Sequence, residues 1–231
     1  MDIKKESIKK DIREMINLGY IVPDDIPDIE LYMDQVTTFM DTHLSKNKRR
    51  DDDKTLTKTM INNYTKNELL PPPEKKRYSK EHIILLIYIY YLKNVISISD
   101  IQTMLNPLID EYYNNPNASH SLDEIYTSLY NLEKYQYFNT ENSIIKSYEC
   151  AEKDFNDKKD GYLKDLTFLS LLAYDIYTKK SLMEHIIDKM AKEQEEKSLA
   201  EEKNEEAKKK TRRQKDEREA KSNQRRTTGN K

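Results

Sequence analysis

The chain has 231 residues and a formal net charge of −2, with 36% hydrophobic and 35% charged residues. So small an apolar share leaves part of the chain outside any core, and residues 191 to 231 hold almost no large apolar side chain. Three scattered glycines (Gly19, Gly161 and Gly229) exclude a glycine-rich phosphate loop, and a single cysteine, Cys150, excludes internal disulfides and a cysteine zinc cluster.

The opening MDIKKESIKKDIREM is charged throughout, unlike a signal peptide. The longest apolar run, Ile83 to Leu92, is ten residues, against about 20 needed to span a bilayer. Both point to a cytoplasmic protein without a membrane partner.

Apolar residues at Ile3, Ile8, Ile12, Met15, Ile16 and Leu18 predict a first helix over 2–18, stopped by Gly19. A proline-containing loop, YIVPDDIPD, follows. A second helix is predicted over 29–44, with Leu31, Met33, Val36, Phe39, Met40 and Leu44 inward. SKNKRRDDDK (45–54) is a polar loop. TLTKTMINNYTKN (55–67) predicts a short helix with Leu56, Met60, Ile61 and Tyr64 on one face and Thr55, Lys58, Thr59, Asn62, Asn63 and Lys66 on the other.

Pro71, Pro72 and Pro73 cannot continue that helix and force extended backbone before Lys75-Lys76-Arg77. Ser79 caps the next helix, whose run IILLIYIYYL is apolar around its circumference and therefore central. Tyr88, Tyr90 and Tyr91 read as core within that run. Ser97 or Ser99 caps a helix to about Tyr113. Further helices are expected at 121–137, 140–155 and 162–190, then a disordered Lys/Glu/Arg tail. Within it, 208–231 carries eleven basic and three acidic residues, able to add non-specific affinity for DNA. No strand pattern of useful length occurs beyond a tiny ribbon around 70–78.

A short helix with a polar face beside a basic loop suits duplex DNA. The major groove admits one helix, whose Asn, Thr and Lys side chains reach base edges and phosphates. The stretch INNYTKNELLPPPEKKRYSKEHIILLIYIYYLKNVISISDIQTML resembles the DNA-binding domain of the MerR (mercury-resistance regulator) family. That pattern has a recognition helix ending in Tyr, then Gly-Leu-Leu-x-Pro, a wing, Tyr-Ser, an apolar helix and an "sLeeI" helix. Tyr64, Leu69-Leu70, Pro71 to Pro73, Tyr78-Ser79 and Ile98-Ser99-Asp100-Ile101 occupy these places, while Glu68 stands where the pattern has glycine. About residues 28 to 115 resemble still more closely the bacterial domain of unknown function 1836 (DUF1836) family, which carries the same core.

The helical spacings read as an all-α fold in which the resemblance implies a MerR-like winged helix-turn-helix core within 1–115, extended by C-terminal helices over 116–190 and a disordered tail over 191–231. It implies a DNA-binding transcriptional regulator, not an enzyme, with Thr59, Asn62 and Asn63 nearest the bases. Lys58, Lys66, Lys75, Lys76 and Arg77 would hold phosphates. Double-stranded DNA is the expected partner, and the helices of 121–190 could support a homodimer. The alternative is a helical protein–protein adaptor without groove contacts, favoured by Glu68 and the Asp51–Asp53 run. His43, His82, His120 and His185 lie far apart in sequence and suggest no metal site, and no cofactor is expected.

Overall fold

A computed structural model describes residues 3–16, 21–50, 52–157 and 160–228, with side chains given to 200 except at Ile16, and at Lys203. The expected stop at Gly19 and the acid Asp51 lie outside the described residues. Two compact units divide the chain, 1–184 and 185–231.

The first unit begins with α1 (Lys5–Ile16) and a 3-10 turn (Pro23–Asp25). It continues through β1 (Leu31–Tyr32), α2 (Met33–Leu44), α3 (Lys58–Lys66), β2 (Arg77–Tyr78), α4 (Lys80–Leu92), α5 (Ile98–Tyr112), α6 (Leu122–Asp154) and the start of α7 (Gly161–Thr228). All-α is the right class: the two strands hold two residues each and pair antiparallel, Leu31 with Tyr78 and Tyr32 with Arg77.

In α4, Ile83 through Ile87, Ile89 and Tyr90 are buried, as a helix without a polar face requires. Each such side chain contributes about 1.5–3 kcal/mol by leaving water. The remaining core residues arrive from every neighbour: Val36, Met40 and Leu44 of α2, Ile61 and Tyr64 of α3, Ile101 and Leu105 of α5, Leu122 and Tyr126 of α6. Tyr126 stands edge-on to Tyr88, ring centroids 5.8 Å apart, and its hydroxyl donates to the Ile21 carbonyl at 2.6 Å.

Several boundaries depart from expectation. The second helix begins at Met33, because Leu31-Tyr32 is drawn into pairing with β2. The third begins at Lys58, capped by Thr57, whose Oγ1 accepts from the Met60 N–H at 3.2 Å. Thr55, expected on the polar face, lies before the helix and is buried, its hydroxyl donating to Asp41 Oδ1 at 2.9 Å.

The helices expected over 121–137 and 140–155 are one, α6. Phe138-Asn139-Thr140 contains no Gly or Pro to break it. Its second half packs Tyr148 and Ala151 against Ile8 and Ile12 of α1 and Phe168 of α7. Tyr135 is exposed near the middle of α6.

The second unit is the remaining stretch of α7. Its helix runs to Thr228. The sequence from 162 to 228 contains neither Gly nor Pro and supplies Glu-to-Lys spacings of four, as at Glu193 and Lys197. Among the described residues no helix is long and apolar enough to cross a membrane.

The end of α3 explains one letter of the sequence. Glu68 N–H bonds to the Thr65 carbonyl (3.2 Å) and Leu69 N–H to the Tyr64 carbonyl (2.9 Å), the paired bonds of a Schellman stop. Glu68 therefore sits at φ 58°, where a side chain is penalised and glycine is not. Glu68→Gly should raise stability by up to about 1 kcal/mol. The urea midpoint checks this, and a midpoint unchanged or lowered contradicts the assignment.

Candidate nucleic-acid interface

The exposed face of α3 holds Lys58, Thr59, Asn62, Asn63 and Lys66, spaced by alternating steps of one and three on one side of the helix. The opposite face is fixed by burial of Ile61 and Tyr64. These five expected residues are thus brought together on one surface.

The other three lie on a tight turn. After Pro71–Pro73 the chain reverses at Glu74-Lys75-Lys76-Arg77, closed by the Arg77 N–H donating to the Glu74 carbonyl at 2.8 Å. Lys75 (φ 47°) and Lys76 (φ 65°) both occupy the left-handed region. Two central residues of this kind form a hairpin turn that favours Asn-Gly, so each lysine carries a backbone cost of about 1 kcal/mol. Both side chains are exposed.

The β1–α2 junction joins helix and turn. Lys58, at the start of α3, forms an ion pair with Asp34 in the first turn of α2. Arg77 forms another with Glu30, immediately before β1, at 2.8 Å. Glu30 and Asp34 are four residues apart, so one short segment holds a cation from each half of the surface. Neither acid is signalled by the sequence, because the pairings appear only once β1 and β2 meet.

His82 fixes where the turn departs. It is 2% exposed. Its Nδ1 accepts from the Ser79 N–H at 3.0 Å and lies 2.8 Å from the Ser79 hydroxyl, completing the cap of α4. With Nδ1 accepting, Nε2 carries the proton and lies 3.1 Å from the Tyr113 hydroxyl. Burial pushes the imidazole below its ordinary value, outweighing the opposing pull of the Pro72 and Pro71 carbonyls. Burial also raises the Tyr113 phenol to about 12, with Glu81 adding to the effect. One histidine thereby links the proline run, the cap of α4 and the end of α5.

Two further ties hold the scaffold. Gln102 Nε2 of α5 donates to the Asn67 carbonyl at the end of α3, at 2.5 Å. Lys80 donates to Asp28 (2.8 Å) and Asp123 (3.1 Å). Burial alone would lower this ammonium, but the two carboxylates outweigh it and hold it above its ordinary value. Among the described residues no group of three or more His, Cys, Asp or Glu is placed to hold a metal ion.

Residues 21–129 match the family described as domain of unknown function (DUF1836). The match supports the DUF1836 resemblance, and it takes in every element from the 3-10 turn at Pro23 through the first turns of α6. It therefore contains all eight expected contact residues, while α1, the second half of α6 and α7 lie outside it. No curated protein and no solved structure matches the chain.

Because the folded imidazole is depressed, the neutral form belongs to the native state. Its contribution is fully present above the unfolded value near 6.5 and is lost as pH falls from there through the folded value, where the unfolded chain binds the extra proton. His82→Gln keeps a side chain that can accept from the cap N–H and removes the titration. Denaturation midpoints should fall between pH 7 and 5 in the native protein, and this slope should shrink in the variant. Equal slopes would show that His82 is not the group responsible.

Proposed function

We propose that the DUF1836 segment is a MerR-like winged helix-turn-helix that binds duplex DNA and serves in transcriptional regulation. In this reading α3 enters the major groove, with Thr59, Asn62 and Asn63 toward base edges. Lys58, Lys66, Lys75, Lys76 and Arg77 lie against phosphates, where each cation releases counterions.

The observation that carries the reading is the turn at Lys75-Lys76. Two lysines occupy left-handed positions that Asn-Gly would fill at lower energy, both are exposed, and the Arg77 beside them is tied through Glu30 to the segment whose Asp34 holds Lys58 of α3. Backbone strain kept at an exposed cationic tip is a feature that function explains and stability does not.

A second reading, a helical adaptor that binds protein through the same scaffold, is favoured by the acids. Asp34 and Glu30 occupy Lys58 and Arg77, and Glu68, exposed just past the C-terminal end of α3, adds a further negative charge. In the DNA reading these acids are competitors that phosphates displace. Both pairs are substantially exposed, so each contributes little and is easily exchanged.

Lys75→Asn with Lys76→Gly separates the two readings without risk to the fold, since the turn relaxes. The double variant should be more stable than the native protein, bind duplex DNA more weakly and lose about 2 from its log–log salt slope. Anisotropy titrations across a salt series measure this, and an unaltered slope removes the turn from any phosphate role. Glu30→Gln with Asp34→Asn should act oppositely, freeing Lys58 and Arg77 and tightening binding by roughly two- to tenfold at low salt. Weaker binding in that variant would favour the adaptor.

A further inference from the structure

Between Arg13 and Lys46 the sequence contains no Lys or Arg, although the whole chain holds 40. Five acids, Asp24, Asp25, Asp28, Glu30 and Asp34, stand within that stretch and within the DUF1836 match. Among them lie Ile29 and Tyr32, 69% and 57% exposed. The same segment forms one side of a groove of about 410 Å³, lined by Pro27, Leu31, Asp34, Gln35, Thr38 and Phe39 and almost wholly apolar at its surface. The groove is built from fixed parts. Leu31 is held by the pairing of β1 with β2. Gln35 Oε1 accepts from the Tyr32 N–H at 2.9 Å, and the Thr38 hydroxyl donates to the Asp34 carbonyl at 2.8 Å. These bonds engage the polar atoms with backbone, so a guest meets chiefly Pro27, Leu31 and Phe39.

We propose that this groove docks a cationic segment of another protein, with one bulky apolar side chain in the groove and Lys or Arg beside the acids. Charge complementarity names the occupant. Lys80, Arg77 and Lys58 reach Asp28, Glu30 and Asp34 from other elements. The acids nevertheless stay open, with the side chains of Asp28 and Asp34 85% and 76% exposed. A carboxylate has room for a second donor, so these positions accept further cations.

The same charges exclude other occupants. An acidic rim repels nucleic acid and an anionic bilayer alike. Two copies of this face repel each other, since neither brings a Lys or Arg from 14–45. The chain's own basic stretch, 208–231, offers charge but contains no large apolar side chain to fill the groove. A small apolar pocket ringed by charge is the arrangement in which a single anchor residue carries most of the affinity.

The proposal rests on neither reading of α3, and its test needs no DNA. Thr38 is exposed, so Thr38→Lys sets a cation and a longer side chain in the groove without disturbing the core. A random peptide display library is depleted on that variant and then selected on the native full chain. The recovered peptides should join a bulky apolar residue to neighbouring Lys or Arg. They should bind the native chain at least about tenfold more tightly than Thr38→Lys, with the two proteins giving superimposable circular dichroism. Asp34→Asn, which keeps the shape of the groove, should weaken them roughly two- to fivefold, and by less at high salt. Loss of this acid has the opposite sign for duplex DNA in the DNA reading, so the two fail separately. No peptide surviving depletion, survivors without positive charge, or an affinity unmoved by Asp34→Asn overturns the proposal.

Discussion

The fold depends on α4. A thirteen-residue helix with no polar face can exist in water only if other elements surround it. That need determines which face of α2, α3, α5 and the start of α6 turns inward, and hence which residues are left outside. The polar side of α3 is exposed because Ile61 and Tyr64 are required beneath it. The surface assigned to DNA is thus a consequence of packing before it is a matter of chemistry.

The N-terminus of α4 turns this packing into placement. Ser79 and His82 close the cap, and the same histidine reaches Tyr113 and the proline carbonyls. Three consecutive prolines remove backbone freedom in the approach to the turn, and β1–β2 pairing fixes its return. The lysine tip is therefore held at both ends. Such preorganisation lowers the entropy lost when a rigid partner is bound.

Much of this was legible in the sequence. The continuous apolar run, the Ser79 cap and the two-faced pattern of 58–66 follow from residue periods, and the contact residues expected on α3 do share one exposed face. What could not be read were the long-range pairings. Asp34 with Lys58 and Glu30 with Arg77 bring together residues 24 and 47 positions apart in number, and acid is too common in this chain for any one carboxylate to stand out. Thr55 was misplaced because a polar residue at the right helical spacing looks solvated until its partner, Asp41, is known. The continuity of α6 was hidden by Asn139-Thr140, weak helix formers that a long packed helix overrides. Glu68 is the converse case: a residue at odds with a glycine pattern, whose φ of 58° shows why glycine would fit there.

The segment matched by DUF1836 carries the polar helix and the turn, and α7 lies outside that match. The most direct measurement of the central claim is selection of bound sequences from a random duplex library by the full-length protein, with the Asn62→Ala, Asn63→Ala variant run in parallel. The account predicts enrichment of a defined sequence by the native protein and loss of that preference in the variant. A native protein that recovers the library unenriched would contradict it.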